Sequence, residues 1–192
     1  STRKESSAAS DVYKRQFKDW PEMEGNVIPY IAGEEEKSEQ EPLRLMGKLV
    51  DGHIEKAALP VITTQCLRVP VLNGHTAAVF VNFEKKPTKE EILDRWTNFK
   101  GLPQELNLPS APKHFIQYLE EDNRPQVALD VDYENGFGVS FGRLREDAVF
   151  DWKFVGLSHN TIRGAAGGAV LSAELLLSLI HISEPTRHLR IS

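Results

Sequence analysis

The chain has 192 residues, a net charge of −5 and 40 % hydrophobic residues, the balance of one ordinary soluble globular domain. The acidic excess and the lack of a basic patch exclude a nucleic-acid-binding class. A single cysteine, Cys66, excludes a disulfide framework and a thiolate metal site, and fits a reducing compartment; no metal is expected.

In chain order, the first segment does not read as protein. Asp11 to Gln16 (DVYKRQ) can be encoded by GATGTGTATAAGAGACAG and Leu177 to Ile182 (LSLIHI) by CTGTCTCTTATACACATC, each the reverse complement of the other. This inverted repeat resembles the transposase recognition end used to build sequencing libraries, so residues 1–16 and 177–192 are expected to be adapter-derived tails. The apolar run from Ala165 to Ile182 then shortens at Leu176 and keeps Glu174, below the roughly twenty residues a membrane span needs. No membrane partner is expected.

Between the ends, Asn26 to Ile31 (NVIPYI) is a short apolar run broken by Pro29, which suits an edge or connector. The acidic stretch Gly33 to Glu41 reads as a solvated loop or helix face, and a helix is predicted from about Glu35 to Gly47 with Leu43, Leu45 and Met46 buried. Val61 to Val71 and Ala77 to Glu84, rich in Val, Thr and Phe, read as strands flanking His75. Thr88-Lys89-Glu90-Glu91 is a capping box opening a helix with Ile92, Leu93, Trp96 and Phe99 on one face, ended by Gly101.

Leu102 to Pro112 is a Pro-punctuated loop, and His114 to Leu119 is either a short strand or a turn of helix. Pro125 to Tyr133 and Phe137 to Leu144 alternate with a period of two around Glu134-Asn135-Gly136, which predicts a hairpin. Phe150 to Gly156 is a further strand, and Asn160 is placed to cap a helix starting near Thr161. The fold class is α+β: a mostly antiparallel sheet with helices on one face.

Chemistry concentrates in Cys66-Leu67-Arg68-Val69-Pro70-Val71-Leu72-Asn73-Gly74-His75-Thr76, where a guanidinium and an imidazole stand seven residues apart. Arg offers a fixed fork of donors for a substrate carboxylate, and His titrates near neutrality. By itself the stretch fits a surface Arg and a capping His on an ordinary strand better than it fits a site. The other histidines between the tails, His53, His114 and His159, sit in polar or turn contexts and read as solvent-facing or capping groups.

Three separated motifs, NVIPYIAGEEEK, CLRVPVLNGHT and LSHNTIRGAAGG (Leu157 to Gly168), resemble the C-terminal half of the aspartate-semialdehyde dehydrogenase family, in its archaeal and fungal branch. The resemblance covers Phe17 to Leu176. It implies a substrate-binding and dimerisation domain over 17–158, of the kind shared with glyceraldehyde-phosphate dehydrogenases, and a helix over 159–176 returning to an NADP-binding domain that is missing here. The activity implied is NADPH-dependent reduction of β-aspartyl phosphate to aspartate β-semialdehyde, on the route to threonine, methionine and lysine, by a homodimer acting on a small molecule.

By the same resemblance His75 is the acid–base residue and Arg68 holds the substrate α-carboxylate. Glu41 pairs with the substrate ammonium, and Arg44 takes the place of a phosphate-binding lysine, exchanging a compact ammonium for a planar fork. Asn160 is a contact near the nicotinamide, or only a helix cap. The family's nucleophile and dinucleotide loop lie in the other half: Cys66 is expected to be a buried strand cysteine, and Gly164-Ala165-Ala166-Gly167-Gly168 lacks the preceding phosphate-binding turn. Alone, the polypeptide is expected to be inactive. A malonyl-CoA reductase-like relative and a non-catalytic dimerisation module are the alternatives.

Overall fold

The computed structural model describes Met23 and residues 25–183, the last three by backbone alone. Of the tails expected at 1–16 and 177–192, residues 1–16 and 184–192 therefore lie outside the described residues, and 177–183 lie inside them. The chain divides into two units, one running to Val71 and the other from Leu72 onward.

In the first unit, helix α1 (Glu34–Leu45) carries Glu34, Glu35 and Glu36 in its first turn, where carboxylates complement the helix dipole. Leu43 is half-buried. Leu45 and Met46, expected inside, are 87 % and 51 % exposed, because the helix turns its Glu35 and Glu39 positions rather than an apolar stripe toward the neighbouring chain. Strands β1 (Lys48–Val50) and β2 (His53–Glu55) form an antiparallel hairpin turned by Asp51 at φ 47° and Gly52 at φ 82°. Both central residues are left-handed, as a type I′ turn requires.

Residues 61–69 are extended and alternate in exposure, yet they join no sheet. Their one ladder contact among the described residues is a bridge in which Arg68 and Ile28 exchange both backbone hydrogen bonds, at 2.9 and 3.1 Å. The predicted connector around Pro29 thus supplies the partner.

In the second unit a four-stranded sheet runs β3 (His75–Val81), β6 (Trp152–Ser158), β5 (Val139–Glu146), β4 (Ile116–Leu119) across its width. The pairs β3–β6 and β6–β5 are antiparallel and β5–β4 parallel, so the sheet is mostly antiparallel. Helix α2 (Lys89–Thr97) opens on the expected capping box, with the Thr88 hydroxyl accepting the Glu91 amide at 3.1 Å and the Glu91 carboxylate accepting the Thr88 amide at 2.7 Å. Its Trp96 ring meets Phe141 at 4.5 Å and Phe154 at 5.1 Å, and its Ile92 joins Leu144 and Trp152 in the core. Phe99 falls beyond the helix end, 48 % exposed, against Phe115. Gly101 does not close α2; it precedes a short helix, α3 (Leu102–Glu105), inside the expected loop.

The predicted hairpin at Glu134-Asn135-Gly136 does not form. Glu134 and Asn135 take left-handed conformations, but the preceding residues make helix α4 (Val127–Asp130) and a 3-10 turn (Tyr133–Gly136). Strand β5 has β4 on one side and β6 on the other, which leaves no edge for a hairpin partner. Residues 120–138 instead form the crossover that a parallel pair demands. Leu157 and Ser140 face this crossover, opposite to the side covered by α2, so helical segments lie on both faces of the sheet.

Helix α5 (Ala166–Ser183) starts five residues later than expected and passes Leu177 without a break. Among the described residues, no helix is long and apolar enough to cross a membrane.

Candidate functional site

His75 is the first residue of β3 and pairs with Ser158, the last residue of β6. The antiparallel register therefore brings the start of Gly74-His75-Thr76 beside the start of Ser158-His159-Asn160, more than eighty residues on. The Asn160 side-chain oxygen accepts the Gly74 amide at 2.8 Å. Gly74 sits at φ 96°, a torsion that strains any larger residue, and a Cβ there would lie 3.1 Å from the Leu157 side chain and 3.2 Å from that of Val131, so both would have to give way by a few tenths of an ångström.

Asn160 does not cap a helix. The turn after it is capped instead by His159, 5 % exposed, whose Nδ1 accepts the amides of Thr161 and Ile162 at 3.2 Å each. With Nδ1 placed to accept two N–H groups, Nε2 is the ring's donor nitrogen, and it lies 3.7 Å from an Asp132 carboxylate oxygen. The capping expectation for His159 holds, with the ring buried. His53 and His114 are exposed.

The stretch Gly164 to Gly168 is bonded internally: the amides of Gly164, Ala166 and Gly168 donate to the carbonyls of His159, Thr161 and Ile162 at 2.8 to 3.0 Å. Amides committed in this way cannot cradle a pyrophosphate, so this is not a dinucleotide loop. Arg163 lies over the Phe115 ring at 4.5 Å, and burial lowers its pKa.

Arg68, Glu41 and Arg44 belong to the first unit. Arg68 ends the half-buried row Ile62, Thr64, Cys66, Arg68 of the extended segment. Two carboxylates of α1 hold that row in place of a neighbouring strand. Glu35 accepts the Cys66 amide at 2.9 Å and the Gln65 side-chain amide at 2.7 Å, while Glu39 accepts the Thr64 amide at 2.8 Å. Neither was singled out from sequence, although their i,i+4 spacing on one helical face was visible. Glu41, two residues past Glu39 and so about 200° further round the helix, is exposed, as is Arg44. Glu34 and Lys37, with the same acid-to-base spacing, form an ion pair at 3.7 Å in the first turn. Cys66 is half-buried. Among the described residues, no group of three or more His, Cys, Asp or Glu side chains is placed to hold a metal ion.

Within each unit, then, two of the three sequence motifs meet: NVIPYIAGEEEK with the Arg68 end of CLRVPVLNGHT, and its His75 end with LSHNTIRGAAGG. Residues 4–163 match the family described as semialdehyde dehydrogenase, dimerisation domain. The chain belongs to that family. It is similar to the aspartate-semialdehyde dehydrogenase of Methanothermobacter thermautotrophicus, 43 % identical over 157 residues that cover 81 % of this chain and 45 % of the relative. The Schizosaccharomyces pombe protein of the same name is 43 % identical over 155 residues, 78 % of this chain and 43 % of the relative. Among solved structures, the Candida albicans aspartate-semialdehyde dehydrogenase with NADP superposes with a TM-score of 0.71 at 39 % identity, covering 80 % of this chain and 44 % of that one. The chain spans less than half the length of these relatives.

Proposed function

We propose that this chain is the substrate-binding and dimerisation half of an aspartate-semialdehyde dehydrogenase, a cytoplasmic homodimer that reduces β-aspartyl phosphate to aspartate β-semialdehyde with NADPH. The observation that carries the reading is the meeting of His75 with the Ser158–Asn160 turn at one end of the sheet, since a bare scaffold has no use for an imidazole on a glycine pinned by an asparagine.

In this reading His75 moves the proton at the reacting centre, as an imidazole can. Arg68 takes the substrate α-carboxylate in its donor fork. Glu41 and Arg44 are assigned to the substrate ammonium and phosphate. The Glu34–Lys37 pair competes for those roles, because it lies in the turn whose Glu35 grips Cys66, two residues from Arg68. NADPH, when bound, supplies the hydride. Among the described residues Asn160 is assigned to it, through the amino end of a carboxamide whose oxygen is taken by Gly74.

A chimera in which residues 17–176 replace the matching half of the M. thermautotrophicus relative tests the assignment. NADP reduction with aspartate semialdehyde and phosphate is expected, with KM for the semialdehyde rising at least about a hundredfold on Arg68→Ala, the loss of a charge-assisted bidentate contact. A chimera active with malonate semialdehyde and coenzyme A instead would reject it. Glu34→Gln and Glu41→Gln, compared side by side, identify the carboxylate whose loss raises the same KM.

A further inference from the structure

We propose that Asn160 is a positioning residue for His75: its side-chain oxygen, by holding the Gly74 amide, fixes the direction in which the imidazole leaves the head of β3. The inference rests on His75 being the acid–base group and adds the device that aims it.

The ladder between β3 and β6 begins at the pair His75–Ser158, so the amide of Gly74 lies one residue beyond the last paired position. Asn160 supplies the acceptor that a continuing strand would have given, at 2.8 Å and 86 residues away in sequence. The torsion at Gly74 is then bounded from two directions, by this bond and by the Leu157 and Val131 side chains, which border the space where a Cβ would stand. A glycine without such restraint would let the chain before His75 swing, and the imidazole with it.

The anchor is itself fixed. An asparagine opening a turn ordinarily spends its oxygen on the amides two or three residues ahead. Here the buried His159 ring takes the amide of Ile162, one of those two, together with that of Thr161, and the Asn160 oxygen accepts from Gly74 instead. The consecutive residues His159 and Asn160 thus divide two jobs, one closing the turn and the other reaching across to the head of β3. The bond is local. Beyond Thr76 the ladder runs to Val81 without it, so its loss should loosen the turn that leads into His75 and leave the sheet standing.

The test is amide hydrogen exchange and imidazole nitrogen NMR on the 192-residue chain, without NADP. In Asn160→Ala the Gly74 amide is expected to exchange about tenfold faster while Ala77 and Phe80 keep their rates. The His75 ring signals should move toward those of a free peptide in tautomer ratio and mobility. Asn160→Asp, which keeps an acceptor oxygen, should retain Gly74 protection, and Asn160→Gln, which displaces the oxygen, should repeat the alanine result if alanine prevents folding. An unchanged Gly74 rate, an acceleration spread over all of β3, or a freed Gly74 with an unaltered His75 ring would each overturn the proposal. These readouts involve no turnover. A failure of the acid–base reading would instead appear in chimera rates with the exchange pattern intact.

Discussion

Arg124 grips Asp130 with both prongs of its guanidinium, Nε donating to Oδ2 at 2.8 Å and Nη2 to Oδ1, while the Gln126 amide donates to the same carboxylate at 2.6 Å. Asp130 is 4 % exposed, and the three donors wrap residues 124–130 into the turn that displaces the predicted hairpin arm. Breaking such a pair leaves a charge without its partner. Asp130→Asn is expected to destabilise the chain by about 2 to 3 kcal/mol, less than a fully buried pair because Arg124 keeps a quarter of its side chain in water. Urea denaturation of the two chains measures this directly.

The same pair sets an acid limit. The hydrogen bonds from Arg124 hold the Asp130 carboxyl below the usual carboxylate range, so the unfolded chain takes up this proton first as the pH falls. Stability from the pair is complete above the unfolded value of about 4 and drains away below it, toward the lower folded value. Asp147, lowered chiefly by Lys153, adds to the slope in the same direction. Denaturation midpoints measured from pH 7 down to pH 3 should fall for the native chain and fall less for Asp130→Asn.

His159→Ala removes the acceptor for two amides in a buried turn. A loss of about 1 to 3 kcal/mol is expected, with hydrogen exchange accelerating first at Thr161 and Ile162. Equal exchange rates in the two proteins would show that the ring is a bystander.

Glu35→Ala should free the extended segment around Cys66, which it holds through the Cys66 amide and the Gln65 side chain. The Cys66 thiol is half-buried in the native chain, so its reaction with a disulfide reagent is expected to speed up about tenfold as local opening becomes easier. No change in rate would mean that the row is held by its bridge at Ile28.

Much of the fold was legible where one local rule decided the outcome. The Thr88–Glu91 capping box and the apolar face of Ile92 and Trp96 needed only helix geometry. The hairpin around Asn135 was misjudged because an Asn-Gly pair reports a local turn, and the partner of β5 was chosen by sheet order and by the buried Asp130. Conversely, Asp51-Gly52 carried the signal of a real hairpin that the sequence reading passed over, since its strands are only three residues long.

The candidate site was legible as residue types, not as geometry. His75, Arg68 and Asn160 stood out by chemistry and resemblance. The oxygen of Asn160 could not be assigned to Gly74 rather than to its own turn without the β3–β6 register, and the burial of His159 that releases it leaves no mark in the sequence. Glu35 and Glu39 were hidden in an acidic run whose default reading is a solvated face.

The central claim is that His75 transfers the proton. The most direct measurement is the turnover of the chimera with aspartate semialdehyde, phosphate and NADP before and after His75→Asn, at equal folded concentration. Loss of a general acid–base group should lower kcat by about a hundredfold or more, with KM little changed and the neutral-pH limb of the rate profile abolished. A kcat within a fewfold of the parent, with that limb still present, would contradict it.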